Sequence, residues 1–151
     1  MTLRWHDRGF DELSIAELYA ILSLRERVFI VEQACVYLDA DGHDPASRHL
    51  WAEDPAAGPT AIRAYLRILP AGEKFAEVGL GRIVVAPEAR GTGLGRELVR
   101  RALDTVGDSP VRIGAQAHLE KFYGELGFCR VGEPFVEDGI PHLEMIRNPA
   151  G

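Results

Sequence analysis

Ile83-Val84-Val85-Ala86-Pro87, then Arg90-Gly91-Thr92-Gly93-Leu94-Gly95, then Arg96-Glu97-Leu98-Val99-Arg100-Arg101-Ala102-Leu103 is the stretch that decides how this chain folds. The apolar, β-branched run reads as the end of a strand. Leu94, Leu98, Val99, Ala102, Leu103 and Val106 recur at helical spacing, a stripe ready to pack on a sheet. A strand that feeds a glycine-rich turn and opens a helix gathers backbone N–H groups at the positive end of the helix dipole. That arrangement suits a phosphate or pyrophosphate. Glycine permits close approach because it lacks a Cβ, and it reaches φ > 0 in a tight loop. Arg90 and Arg96 flank the loop with fixed positive charge. No Lys follows the glycines, so a Walker loop fails on spacing, and G-x-G-x-G lacks the register of a dinucleotide fingerprint. The pattern that remains is R-x-x-G-x-G after a strand.

Outward from this unit the chain alternates strands and helices without repeats or long linkers. Ser14 and Glu17 form a capping box, and a helix is predicted from there to Val31. Ile15, Leu18, Tyr19, Leu22, Val28 and Phe29 make its stripe, with Arg25 inside it. Strands are predicted at Arg48 to Ala52, Ile62 to Leu69 and Val78 to Val85, separated by Pro/Gly-rich turns. After the central helix, Gly107 and Pro110 signal a stop, and Val111 to Ala115 returns as a strand parallel to its predecessor. A short helix from Leu119 to Leu126 ends at Gly127. Strands at Phe128 to Val131 and Leu143 to Ile146 flank the turn Glu137-Asp138-Gly139. The fold class is α+β (mixed α/β): a central mixed sheet with helices on both faces, in a single domain over residues 1–151.

With 151 residues, 46% hydrophobic and 26% charged, the composition is that of an ordinary globular domain. A net charge of −6 argues against nonspecific nucleic-acid binding, which depends on neutralising phosphates with Lys and Arg. No apolar run is long enough for a membrane span, and the first residues lack a signal-peptide core, so a cytoplasmic location is expected. Cys35 and Cys129 are too few for a disulfide framework and read as reduced packing thiols.

The segment Gly114-Ala115-Gln116-Ala117-His118-Leu119-Glu120-Lys121-Phe122-Tyr123-Gly124-Glu125-Leu126-Gly127-Phe128, taken with the glycine turn, resembles the GNAT N-acetyltransferase superfamily. Leu24 to Gln33, Asp39 to Asp44 and Glu137 to His142 are similar to its ElaA-like branch. The resemblance spans about Leu18 to Met145. It implies a GNAT fold, whose twisted sheet contains two splayed parallel strands, with acetyl-CoA as co-substrate and an amine as acceptor. Ile83, Val84 and Val85 would then face the pantetheine and acetyl carbonyl, and Arg90, Gly91, Thr92, Gly93, Leu94, Gly95 and Arg96 would hold the pyrophosphate. Gln116 would reach the pantetheine amides, or simply end a strand. Phe122 would pack the helix, its ring beside the cofactor arm. Tyr123, which periodicity alone assigns to packing, becomes the proton donor to the leaving thiolate. The implied partner is an amine-bearing small molecule or peptide, with no nucleic acid and no membrane, and the chain is compatible with a homodimer.

The proton acceptor stays open among Glu77, His142, His43, His118 and a water chain. No metal is expected: counted from Asp39, an EF-hand would need Gly sixth and Glu twelfth, where Asp44 and Leu50 stand. Asp39, Asp41 and Asp44 read as a solvated turn, or as an acidic rim attracting a cationic amine. Arg25 and Glu32, two helical turns apart, either shape the acceptor pocket or anchor the helix ionically. Two other functions compete with the transferase. One is a catalytically silent acyl-CoA sensor. The other is an acyl-homoserine-lactone synthase, which Arg25 to Gln33 also resembles.

Overall fold

The computed structural model describes residues 2–149. Its core is a seven-stranded sheet: β1 (Arg4–Gly9), β2 (Arg48–Glu53), β3 (Ile62–Leu69), β4 (Val78–Val85), β5 (Val111–Gln116), β6 (Cys129–Glu137) and β7 (Ile140–Arg147). The spatial order is β1-β2-β3-β4-β5-β7-β6, antiparallel throughout except for β4 against β5. Helix α1 (Ile15–Arg25) lies on one face; α2 (Leu94–Val106) and α3 (Glu120–Glu125) lie on the other.

Alternation along the strands divides the apolar residues between these layers. Leu66, Leu80, Ile113, Ala115, Leu143 and Met145 meet Leu98, Val99 and Ala102 of α2. Trp51, Tyr65 and Val84 point the other way, against Ile21, Leu24 and Val28. The α1 stripe therefore differs from the sequence expectation. Ile15 and Tyr19 are exposed, whereas Ile21, Leu24, Arg25 and Val28 face the sheet. The capping box forms as expected: Glu17 N–H donates to Ser14 Oγ at 3.0 Å, and Ser14 N–H donates to Glu17 Oε1 at 2.9 Å. Replacing Ser14 by alanine is expected to cost about 1 kcal/mol, read as a lower urea midpoint.

The expected helix does not run uniformly to Val31. After Arg25 the coil widens into a π-helical segment, Glu26–Glu32, a form often associated with functional sites. The sequence reading omits β1, whose Arg-Trp-His-Asp-Arg lacks apolar alternation and which pairs only with β2 at the sheet edge. It also cuts β6 short at Val131. Gly132 and Pro134 interrupt the pattern there, and the edge position lets the sheet tolerate that proline.

Candidate active site

The parallel pair β4–β5 joins only at Val78 with Val111 and Gly79 with Arg112; beyond these residues the strands part. A cleft of about 820 Å³ opens at the divergence. A register shift in β3–β4 opposite Tyr65 to Arg67 marks a bulge, where Arg82 takes φ 51°, a backbone region uncommon for a side chain of its size.

At one end of the cleft, β4 runs through a turn into α2. Gly91 (φ 76°) and Gly93 (φ 81°) sit in left-handed geometry that a Cβ would strain. A Cβ on Gly95 would come within 3.3 Å of Val85 Cγ2, so this glycine lets the helix pack closely on the strand. Among the described residues, the amides of Gly91, Thr92 and Gly93 find no acceptor in the protein, and the first helical amides have none by geometry. Such an array of free amides at a helix N-terminus suits an anion.

Ile83, Val84, Val85, Arg90, Gly91, Gly93, Leu94, Gly95, Arg96, Gln116, Phe122 and Tyr123 all line the cleft. Thr92 does not: its hydroxyl turns back and donates to the Ala89 carbonyl at 2.7 Å, holding the turn. The Arg90 charge is not free. Its guanidinium donates to both Glu32 oxygens at 2.6 and 2.9 Å, and this bond raises its pKa. Arg96 lies over the Phe122 ring at 5.7 Å. Gln116 Nε2 donates to Gln33 Oε1 at 3.2 Å, tying the end of β5 to the segment after the π-helix.

Tyr123 is buried in the α2 layer, edge-on to Phe122 at 5.0 Å and to Phe128 at 5.9 Å. Burial pushes its phenol pKa up, so the neutral form persists. Its hydroxyl has no hydrogen-bond partner among the described residues, which leaves a proton available to the cleft.

Of the four candidate proton acceptors, the structure brings two to the cleft: His118 and His142. His43 lies outside, 2.6 Å from Glu73, and Glu77 is held by Arg112 at 2.9 and 3.0 Å. The Arg112 hydrogen bond lowers the Glu77 pKa, which makes it a weaker base still.

Neither the solvated turn nor the acidic rim survives. Asp39 and Asp44 are buried, and all three aspartates are neutralised by arginines. Arg25 donates to Asp39 and Asp44, and Arg67 to Asp41 and Asp44, at 2.7–2.8 Å. Arg82 adds Asp41 at 3.2 Å, and its Nε lies 2.9 Å from Asp39 Oδ1, off line for a hydrogen bond. Arg25 and Glu32 are not neighbours. The π-helical winding sends Glu32 to Arg90, while Arg25 anchors the helix in the ionic cluster. Arg48 of β2 pairs with Asp7 of the edge strand β1.

No group of three or more metal-ligating side chains occurs among the described residues. No helix among them is long and apolar enough to cross a membrane. Cys35 is buried with its thiol 3.1 Å from the Asp138 carbonyl, whereas Cys129, expected to pack, is exposed.

The sequence reading passes over Arg82, Gly114 and Gln33 as cleft residues. Arg82 had a signal, a lone charge between Gly81 and Ile83 in an otherwise apolar strand. Gly114 had another, a glycine inside a strand, which marks close approach or open space.

A sequence profile of the acetyltransferase (GNAT) domain matches residues 51–148. The chain is 42% identical over 153 aligned residues to protein ElaA of Escherichia coli strain K12, covering 96% of each. The crystal structure of Escherichia coli ElaA gives a TM-score of 0.88 at 40% identity, covering 97% of this chain and 100% of that one. An acyl-CoA N-acyltransferase from Pseudomonas aeruginosa gives 0.90 at 41% identity, covering 97% and 99%. Splayed strands, a glycine cradle and relatives matched almost end to end agree: the chain belongs to the GNAT acetyltransferase family, in its ElaA-like branch.

Proposed function

We propose that this protein is an acetyl-CoA-dependent N-acetyltransferase that modifies a primary amine of a small molecule or peptide by direct attack on the thioester. The observation that carries the reading is the continuity of one cleft, from the unpaired amides at Gly91 to Gly93, along the parted β4 and β5, to the buried phenol of Tyr123. The amides and Arg96 suit a pyrophosphate. The unpaired edges of Ile83 to Val85 and of β5 offer hydrogen bonds to an extended, amide-bearing arm. Tyr123 supplies a proton to the departing thiolate.

Acetyl-CoA at millimolar concentration is expected to raise the melting temperature, since a ligand that binds only the folded chain stabilises it by mass action. Gly93→Asp is expected to abolish the shift, because it strains a left-handed position and places negative charge among the cradle amides. A wild-type chain indifferent to acetyl-CoA would contradict the proposal. Clear binding without release of free CoA, across polyamines, aminoglycosides, amino acids and peptide N-termini, would leave an acyl-CoA sensor instead.

A further inference from the structure

Where β4 and β5 part, glycines leave the α1 face of the sheet bare. By register, Gly79 and Gly81 of β4 share that face with Leu69 and Arg67, and Gly114 of β5 shares it with Gln116. The Phe75 ring covers Gly79, and Leu69 and Arg67 crowd Gly81. A Cβ at Gly114 would meet nothing within 4 Å, so open space stands over this residue inside the cleft. Gln116 lies opposite His142, and His142 opposite Phe135, which makes a cross-strand row beside that space. Tyr123 belongs to the other face, packed with Ile113 and Ala115.

The ring of His142 is fixed in one tautomer. Its Nδ1 lies 2.6 Å from the Ile140 carbonyl oxygen, which can only accept, so Nδ1 carries the hydrogen and Nε2 the lone pair. Phe135 stacks on the ring with centroids 5.9 Å apart. The Glu137 carboxylate stands 3.9 Å from Nε2, placed to stabilise an imidazolium. The other charged groups around the ring are Asp138 at the hairpin turn and Glu144 further along β7, already engaged by Arg112. β5 presents the neutral Gln116, and the Cys35 thiol is occupied by the Asp138 carbonyl at the hairpin turn. His118 also lines the cleft, but no hydrogen bond among the described residues orients it.

We propose that the acceptor amine stands over Gly114 and gives its proton to Nε2 of His142. The assignment rests on the transferase reading and completes its proton balance. The amine nitrogen bonds to the acyl carbon and the carbon–sulfur bond breaks. The ammonium first gives one proton to His142, which passes it to water, so the nitrogen attacks with its lone pair. Its second proton leaves through water as the amide forms, and sulfur takes one from Tyr123 on the opposite face, which water restores. The net result is one proton released to solvent and one moved from nitrogen to sulfur. Base and acid on opposite faces fit a nucleophile entering from one side of the split sheet, with the thiolate protonated from the other.

The test compares wild type with His142→Gln, and with His142→Asn should the first not fold. At neutral pH the variant is expected to lose about 10²- to 10⁴-fold in kcat while keeping the acetyl-CoA melting shift. The defect should shrink as pH rises toward the pKa of the amine, where the acceptor arrives already neutral. A purely structural role would give the same loss at every pH. Gly114→Val should raise KM for the amine and leave the acetyl-CoA shift intact, because it fills only the open space. Wild-type turnover with an unaffected or pH-independent His142→Gln overturns this assignment alone. Failure of the wild type to turn over any amine overturns the transferase reading along with it.

Discussion

Replacing Tyr123 by phenylalanine is expected to lower the rate of CoA release by about 10²-fold or more while acetyl-CoA affinity stays nearly constant. The ring is held edge-on by Phe122 and Phe128 within the α2 layer, and phenylalanine preserves those contacts. Only the hydroxyl is lost, and it makes no hydrogen bond with any described residue, so folding should not suffer. Because burial raises the phenol pKa above its ordinary value of about 10, the neutral donor persists through and beyond the usual assay range. Wild-type activity should therefore show no alkaline loss attributable to this group below about pH 10. Steady-state rates with saturating amine, alongside acetyl-CoA melting shifts, separate the two effects. Equal turnover in the variant would return Tyr123 to a packing role and leave the thiolate to water.

Opposite placement of Tyr123 and His142 follows from the fold's own arithmetic. Strand residues alternate faces, so Ala115 and Leu143 must point toward α2 and α3 if Gln116 and His142 point toward α1. Splitting β4 from β5 gives both faces access to the same gap. A continuous sheet would have kept the two side chains apart.

Much of this was legible in the chain itself, and the reason is local. The turn from Val85 to Gly95 depends on backbone freedom that only glycine supplies, and the α2 stripe declares its period without help from the rest of the molecule. The bounds of β3, β4 and α2 follow from such signals. What stayed hidden depends on distant partners. Asp39, Asp41 and Asp44 look like a solvated turn until α1, β3 and β4 bring Arg25, Arg67 and Arg82 to them. Glu32 appears to share a face with Arg25 under α-helical periodicity, and the π-helical segment breaks that relation. His142 cannot be told from His43 by composition; the difference lies in the hairpin carbonyl that fixes one ring and the glutamate that occupies the other.

Asp44→Asn should prove the most destabilising of these substitutions. Asp44 Oδ1 accepts from both Arg25 and Arg67, each at 2.8 Å, and both guanidinium groups are almost entirely sheltered from solvent. An amide of the same shape leaves the buried cluster of Arg25, Arg67 and Arg82 one negative charge short, with only Asp39 and Asp41 to balance it. Breaking a buried pair in this way costs about 3–5 kcal/mol. The pH dependence distinguishes a charge effect from a packing effect. Burial alone would raise the Asp44 pKa, but the hydrogen bonds and charges of Arg25 and Arg67 outweigh it and hold the value below the ordinary carboxylate range. Asp41, bound by Arg67 and Arg82, is depressed in the same way. A depressed carboxylate contributes stability that is fully present above its unfolded pKa, about 3.9, and is lost as pH falls through the folded value. The urea-unfolding gap between wild type and Asp44→Asn should therefore stay constant from pH 7 to about 5 and close in stronger acid, where Asp44 is itself neutral. A gap that persists unchanged at low pH would show that the loss in Asp44→Asn does not come from the charge of the carboxylate.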